Sequence, residues 1–271
     1  MHMAHKYARV LVVKYGGGAM PAPSNGEGDP ILAEIAALWG AGSGIVLVHG
    51  GGPEIDAALA QRGIEAARID GMRVTDAATL GVTEAVLCGS INKRLVRAAL
   101  ALGLPAVGIS GEDGNTLIAQ RAAGRNGEDL GYVGEVASTG VRLIRTLLDA
   151  RFLPIVAPLA VARDGSHAYN VNADLAAAAI AAALRADAFV AVTNVSRVLR
   201  DPDDATTGID RFTAEEALQF AAGGACRSSM KPKLQAAARA VKDGAVMAYI
   251  CAAKPNAIAC ALRSDATIVS S

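Results

Sequence analysis

The sequence predicts an α/β protein built on a mostly parallel sheet with helices covering both faces. Three observations lead there. Short, continuous apolar runs of strand length alternate with longer amphipathic or Ala-rich segments of helix length, as expected of strands buried on both faces. The composition is 52% hydrophobic but only 4% aromatic, which suits a sheet packed by Ala-rich helices and argues against disorder. Two glycine triplets each fall between an apolar run and the next helical segment. In such folds ligands bind there, beyond the carboxyl ends of the strands.

Val10–Tyr15 is the first predicted strand and ends in Gly16-Gly17-Gly18. A polar, Pro- and Gly-rich stretch, Pro21–Asp29, precedes an amphipathic helix, Ile31–Leu38. Strand Ile45–His49 ends in the second triplet, Gly50-Gly51-Gly52. Pro53 then stands where a first helical turn tolerates it, ahead of helix Ile55–Arg62. Thr79–Leu102 reads as one longer helix and Pro105–Ile109 as a strand, while Leu117–Arg121 and Tyr132–Val136 read as exposed strands about a polar turn. Helix Val141–Arg151, strand Ile155–Val161, helix Ala173–Leu184 and strand Ala188–Thr193 resume the alternation. Helices Ala214–Ala222 and Met230–Asp243, with strands near Val246–Cys251 and Thr267–Val269, complete it. A soft boundary near Arg185–Asp187 divides two halves of one continuous sheet, with no internal repeat or long linker.

The 271 residues allow one large domain or two tightly joined lobes. Acidic and basic residues balance at 26 each, so no global field draws in nucleic acid or an anionic membrane. An anion site must therefore be made locally, from placed cations and backbone amides. The longest apolar run, Ala176–Leu184, falls well short of the roughly 18 residues that span a bilayer. Met1–Arg9 has no apolar core of the kind a secretory leader needs. Cys88, Cys226, Cys251 and Cys260 lack zinc-ligand spacing and read as thiols buried in a reducing cytoplasm. The histidines are too scattered for a metal site.

Five segments carry chemistry. Lys14 at the end of a buried strand is costly unless its ammonium faces an anion, and the glycines after it let backbone amides approach a ligand. Taken alone it also fits a tight turn with a snorkelling lysine. The spacing is neither a Walker A loop nor a G-x-G-x-x-G turn. His49-Gly50-Gly51-Gly52-Pro53 repeats the device at a second strand end, with the following helix adding its positive terminus. His49 itself fits a packed, hydrogen-bonded residue better than a base. Gly71-Met72-Arg73-Val74-Thr75 supplies a planar guanidinium able to grip a carboxylate bidentately, or else a surface arginine. Asn170-Val171-Asn172-Ala173-Asp174 sets two amides and a carboxylate before an Ala-rich helix, and N-capping explains only one of the three. Lys231 and Lys233 open a helix where cations gain nothing from the macrodipole, which points to an anion between them.

Together these segments, in this order, resemble the amino acid kinase family over nearly the whole chain, and within it the N-acetylglutamate kinases. The resemblance implies a three-layer αβα sandwich around a mainly parallel open sheet, as in carbamate kinase. Residues 1–185 would form the lobe for amino-acid binding and dimerisation, and 186–271 the lobe for ATP. It also implies ATP-dependent phosphorylation of the side-chain carboxylate of N-acetyl-L-glutamate in arginine biosynthesis, by a cytoplasmic homodimer. Matching position by position, Lys14 and Lys233 would neutralise the migrating phosphoryl group and Asp174 would position them. Gly17, Gly51, Gly52, Arg73 and Asn170 would hold the acylamino acid. Gly16, the loop Asn194, Val195, Ser196, Arg197, Val198 and Leu199, and the approach Ala225, Cys226 and Arg227 would meet the nucleotide. Mg²⁺ would arrive on the ATP phosphates, with no metal site of the protein's own. The physics agrees: an ionised carboxylate needs no general base, so alignment and charge compensation are the task.

The chain departs from the family pattern in three places. The nucleotide loop usually reads Asp-Val-x-Gly and here reads Asn194-Val195-Ser196-Arg197. The C-terminal Gly-x-Gly-Thr is replaced by Asp265-Ala266-Thr267. The stretch after Ala245 lacks the acidic, phenylalanine-containing motif of arginine-regulated members, and few residues precede the first strand, so no arginine feedback is expected. Two alternatives belong beside the main reading. Glu84–Gly89 and Asn92-Lys93-Arg94 also resemble kinases acting on aminoadipate or glutamate linked to a carrier protein. The altered nucleotide loop is the one feature that fits a non-catalytic ligand-binding paralogue.

Overall fold

A computed structural model describes residues 7–21, 28–69, 71–124, 126–227 and 229–271. The segment Met1–Lys6 and residues 22–27 of the polar stretch lie outside the described residues. The first elements are β1 (Val10–Tyr15), α1 (Pro30–Gly40), β2 (Gly44–His49), α2 (Gly52–Ala60), the short pair β3 (Arg68–Ile69) and β4 (Met72–Arg73), and α3 (Ala77–Glu84). Then come α4 (Asn92–Ala101), β5 (Ala106–Ser110), β6 (Leu117–Ala123), β7 (Asp129–Thr139), α5 (Arg142–Asp149), β8 (Leu153–Ala157), β9 (Leu159–Ala162) and β10 (Ala168–Val171). The remainder is α6 (Ala173–Leu184), β11 (Ala188–Thr193), β12 (Val198–Leu199), β13 (Gly208–Ile209), β14 (Arg211–Thr213), α7 (Ala214–Ala222), α8 (Lys231–Lys242), β15 (Ala248–Ala252), α9 (Ala257–Leu262) and β16 (Thr267–Ser270).

Eight strands form the main sheet in the order β14-β16-β15-β11-β1-β2-β8-β5. Its pairings are parallel except β15 with β16. β2 is buried at every position and β1 at every position after Val10, because helices cover both faces of a parallel sheet. α6 packs against α8, and both helices bury small residues such as Ala177, Ala181, Ala237 and Ala240. Few aromatics are needed where two such faces meet closely. The halves of the sheet before and after α6 join edge to edge through β1 and β11. Among the described residues no helix is long and apolar enough to cross a membrane.

Four expected elements differ in the structure. The expected strand Ile155–Val161 is two strands broken at Pro158, where the chain leaves the main sheet; proline cannot donate a ladder hydrogen bond. The strands expected to lie exposed are longer, and β6, β7, β9 and β10 close into a small barrel. That barrel buries Leu117, Ala119, Leu130 and Val133. The expected helix Thr79–Leu102 is continuous but widens to a π-helical stretch over Ala85–Ile91. The strands β3, β4, β10, β12, β13 and β14 and the helix α9 have no counterpart among the expected elements.

Register places the chemistry. Tyr15 pairs with His49 and with Val192, so the first glycine triplet, the second triplet and the loop after Thr193 leave the sheet side by side. All three leave from carboxyl ends of strands.

Candidate active site

The two glycine turns interlock. A Cβ built on Gly17 would lie 2.9 Å from Gly51 N and 3.2 Å from Gly52 N, and one on Gly50 would lie 2.9 Å from Gly17 N. These neighbours are backbone atoms, which cannot swing aside, so only glycine lets the turns meet. Gly50 N donates to Tyr15 O at 2.8 Å and Gly16 N donates to Val192 O at 3.1 Å, tying both turns to strand ends.

Beside this junction lies a buried charge cluster. Asn172 caps α6, accepting from Asp174 N at 2.8 Å and Leu175 N at 3.2 Å. This leaves Asp174, in the first turn, free to face the sheet. Its Oδ1 lies 2.8 Å from Lys14 Nζ, and Lys233 Nζ donates to its Oδ2 at 3.3 Å. Lys14 is 5% exposed and Asp174 4%. The Lys14 ammonium is the close partner of this buried Oδ1. Burial pulls the Lys14 pKa down, the attraction of Asp174 opposes it, and the Lys233 charge adds to the fall. Burial pushes the Asp174 carboxyl up, but the two ammonium groups outweigh it and hold it below the usual range. Two cations around one carboxylate leave a net positive charge in a dry setting, and an incoming anion balances it.

Two cavities open from this cluster, and Lys14 and Gly17 line both. The first, of about 350 Å³, has Gly16, Lys233, Asn194, Val195, Arg197 and Leu199 among its walls. Val198, Cys226 and Arg227 line it too, together with Phe220, Pro202 and Met230, of which Phe220 and Pro202 were not anticipated from sequence. Ser196 and Ala225 lie on the same loops but are exposed and do not line the cavity. The second cavity, of about 520 Å³, is lined by Gly51, Gly52, Arg73, Asn170 and Asp174. Arg68, Leu87, Glu135, Gln235 and Arg239 also face it; of these only Leu87 falls in a segment singled out above, Glu84–Gly89, and there for a different reason.

Arg73 is buried rather than solvated. Its Nη2 donates to Gly52 O at 3.1 Å and to Asp56, while its Nε is buried with no partner. An unfilled donor on a buried guanidinium costs free energy unless a ligand takes it. Asn170 donates to Thr75 Oγ1 at 3.2 Å, and that hydroxyl donates to Arg73 O at 2.8 Å. The Asn170 and Arg73 segments are thereby locked together. His49 is fully buried and its pKa is pushed down to about 4, chiefly by burial; it fits a packed neutral ring, not a base. Arg197 pairs with Asp210 and lies 3.7 Å from Asp265, which also holds Lys254 at 2.6 Å. The two main departures from the family pattern therefore touch each other. Among the described residues no group of three or more His, Cys, Asp or Glu is placed to hold a metal.

Residues 9–252 match the model of the amino acid kinase family. The chain belongs to that family. It is 40% identical over 243 residues to the acetylglutamate kinase of Brevibacillus brevis, covering 89% of each chain. To that of Symbiobacterium thermophilum it is 38% identical over 247 residues, covering 89% of this chain and 83% of the relative. To that of Methanopyrus kandleri it is 47% identical over 208 residues, covering 76% and 84%. Among solved structures, N-acetylglutamate synthase from Neisseria gonorrhoeae, complexed with coenzyme A and N-acetyl-glutamate, superposes with a TM-score of 0.81 at 25% identity. This chain is covered to 98% in that match but spans only 60% of the synthase chain. Carbamate kinase from Giardia lamblia bound to AMP-PNP superposes with a TM-score of 0.69 at 19% identity, covering 97% and 98%, a likeness of fold.

Proposed function

We propose that this kinase transfers the terminal phosphoryl group of ATP to the side-chain carboxylate of N-acetyl-L-glutamate. The observation that carries the reading is the Lys14–Asp174–Lys233 cluster at the meeting point of two cavities. The first cavity takes the nucleotide: Val195, Leu199, Phe220 and Met230 give apolar walls, while Gly16, Gly17 and the lysines face the phosphates. The second takes the acylamino acid, with Arg73 Nε and the Gly51 and Gly52 amides as donors. Residues 186–271 would then hold most of the nucleotide and 1–185 the acceptor. The acetylglutamate kinases among its relatives support this choice of acceptor.

The chemistry asks little of proton transfer. The acceptor carboxylate is ionised at neutral pH and attacks directly, so positioned cations matter more than bases. Lys14 and Lys233 offset charge spreading over the phosphoryl oxygens, and Asp174 sets the place of both ammonium groups. Mg²⁺ would come in on the nucleotide phosphates, where it would supply further charge neutralisation. The four free cysteines fit a reducing cytoplasm. The exposed apolar residues Leu100, Leu102 and Phe152 lie near the β5 edge of the sheet. They support a homodimer through that lobe, to be checked by sedimentation for twice the 27.5 kDa chain mass.

The deciding experiment is ADP release with Mg-ATP and a panel of N-acetylglutamate, glutamate, aspartate and aminoadipate. Turnover on N-acetylglutamate above the others is expected. ATP binding without turnover on any of them would overturn the reading. Arg73→Ala should raise KM for N-acetylglutamate more than it lowers kcat; a rise in KM for ATP instead would mean that the cavities have been given the wrong ligands.

A further inference from the structure

The motif Asn92-Lys93-Arg94 lines neither cavity, yet all three side chains have partners within the fold, and Asn92 and Arg94 reach the residues on either side of the second glycine turn. Arg94 Nη2 donates to Glu54 Oε1 at 2.7 Å, in the first turn of α2. Lys93 Nζ donates to Asn92 Oδ1 at 3.1 Å and to Gly108 O at 2.9 Å. Asn92, 1% exposed, directs its Nδ2 at Ile155 O (2.8 Å), Ile109 O (3.3 Å) and His49 Nε2 (3.3 Å). Gly108 makes this possible, since a Cβ there would overlap Asn92 Oδ1.

The π-helical stretch just before Asn92 is part of the same construction. Leu87 and Ile91 within it press on Gly51 so closely that a Cβ on Gly51 would overlap both side chains. Such wide turns are rare and often mark functional positions. Here the wide turn supplies the apolar floor under Gly51, and the residue directly after it, Asn92, reaches His49.

His49 completes the chain of contacts. A carbonyl oxygen can only accept, so Gly50 O puts the ring proton on His49 Nδ1 and leaves Nε2 as an acceptor facing Asn92 Nδ2. Nδ1 then donates to Gly50 O at 3.0 Å. The low pKa of the buried ring keeps this tautomer neutral. A trans peptide is planar, with its C=O and N–H pointing opposite ways. Gripping the carbonyl of Gly50 from the core therefore aims the N–H of Gly51 the opposite way, and Gly50, Gly51 and Gly52 all line the acceptor cavity.

We propose that His49, oriented by Asn92, is a positioning residue for the acceptor site that aims the Gly51 amide through the Gly50–Gly51 peptide plane. The inference rests on the assignment of the second cavity to the acylamino acid. It also gives Asn92-Lys93-Arg94 a task inside the chain, so the motif is not in itself a sign of a carrier-linked substrate.

The test compares three single variants in steady-state kinetics and in calorimetric titration with N-acetylglutamate alone. His49→Phe keeps a ring and loses both nitrogens. His49→Gln has no donor at the Nδ1 position, while His49→Asn places one there. The Phe and Gln variants should bind N-acetylglutamate at least tenfold more weakly, with KM for ATP within twofold of wild type. His49→Asn should recover most of the loss. Equal behaviour of the Asn and Gln variants would overturn the proposal, as would unchanged acceptor binding in a folded Gln variant or a parallel rise in KM for ATP. If the Phe variant does not fold, the Asn–Gln comparison decides alone. A wild-type enzyme that neither binds nor phosphorylates N-acetylglutamate would instead sink the assignment of the cavity.

Discussion

The buried ring of His49 makes stability depend on pH in a way that one substitution isolates. In the unfolded chain the ring takes up a proton as pH falls through its ordinary 6.5; in the native protein it does so only near 4, because burial disfavours the charged form. The unfolded state therefore binds more protons between these values, and stability falls as pH falls. The contribution is complete above 6.5 and lost progressively toward 4. At about 1.4 kcal/mol per pH unit the whole interval is worth about 3 kcal/mol, of which about 2 kcal/mol has gone by about pH 5. The assay is urea denaturation of wild type and His49→Gln near pH 7.5 and near pH 5. Carboxylates titrate in both proteins and cancel in the difference, while glutamine does not titrate. The wild-type advantage should shrink by about 2 kcal/mol on going to the lower pH. A stability difference that stays constant across the range would show that the ring is not held neutral and that His49 is not fixed as a single tautomer.

Three further outcomes are expected. Lys233→Ala should lower kcat by about two orders of magnitude or more with both KM values nearly unchanged, as read by ADP release, because its charge acts on the migrating group; an unchanged kcat would mean that the lysine is wrongly assigned. Gly17→Ala must push apart two backbones, its Cβ falling 2.9 Å from Gly51 N. A misplacement approaching 1 Å should cost about ten- to a hundredfold in kcat/KM, whereas Gly40→Ala, with nothing within 4 Å of its Cβ, should match wild type. Arg197→Ala and Asp265→Ala should each raise KM for ATP by about two- to fivefold, as for a partly exposed ion pair, with the double variant no worse than the worse single. Additive losses would show that the two residues act independently.

The sequence determined the parts whose causes are local. β1, α6, β11 and α7 have the bounds read from apolar runs and helix signals, because a strand buried on both faces and an Ala-rich helix leave continuous, unambiguous patterns. The glycine triplets, Arg73, Asn170, Asp174 and the lysines were legible as candidates because each is an expensive residue in its local setting. Short or irregular elements were not legible. β10 and β14 are four and three residues long, too short to show a period, and the π-helical turn has the same apolar pattern as an α-helix.

Tertiary structure alone decided which distant groups meet. Nothing near Lys14 in sequence indicates Asp174 or Lys233, whose distances are set by β1, α6 and α8 converging at the carboxyl ends of the central strands. Arg197 and Asp265 looked like two separate departures until folding set them beside each other. His49 and Asn92 are 43 residues apart, and their contact depends on a widened helical turn and on Gly108 having no Cβ. Local pattern follows from steric and hydrophobic preferences that each residue carries with it. Pairings across the fold depend on packing that exists only once the whole sheet has closed.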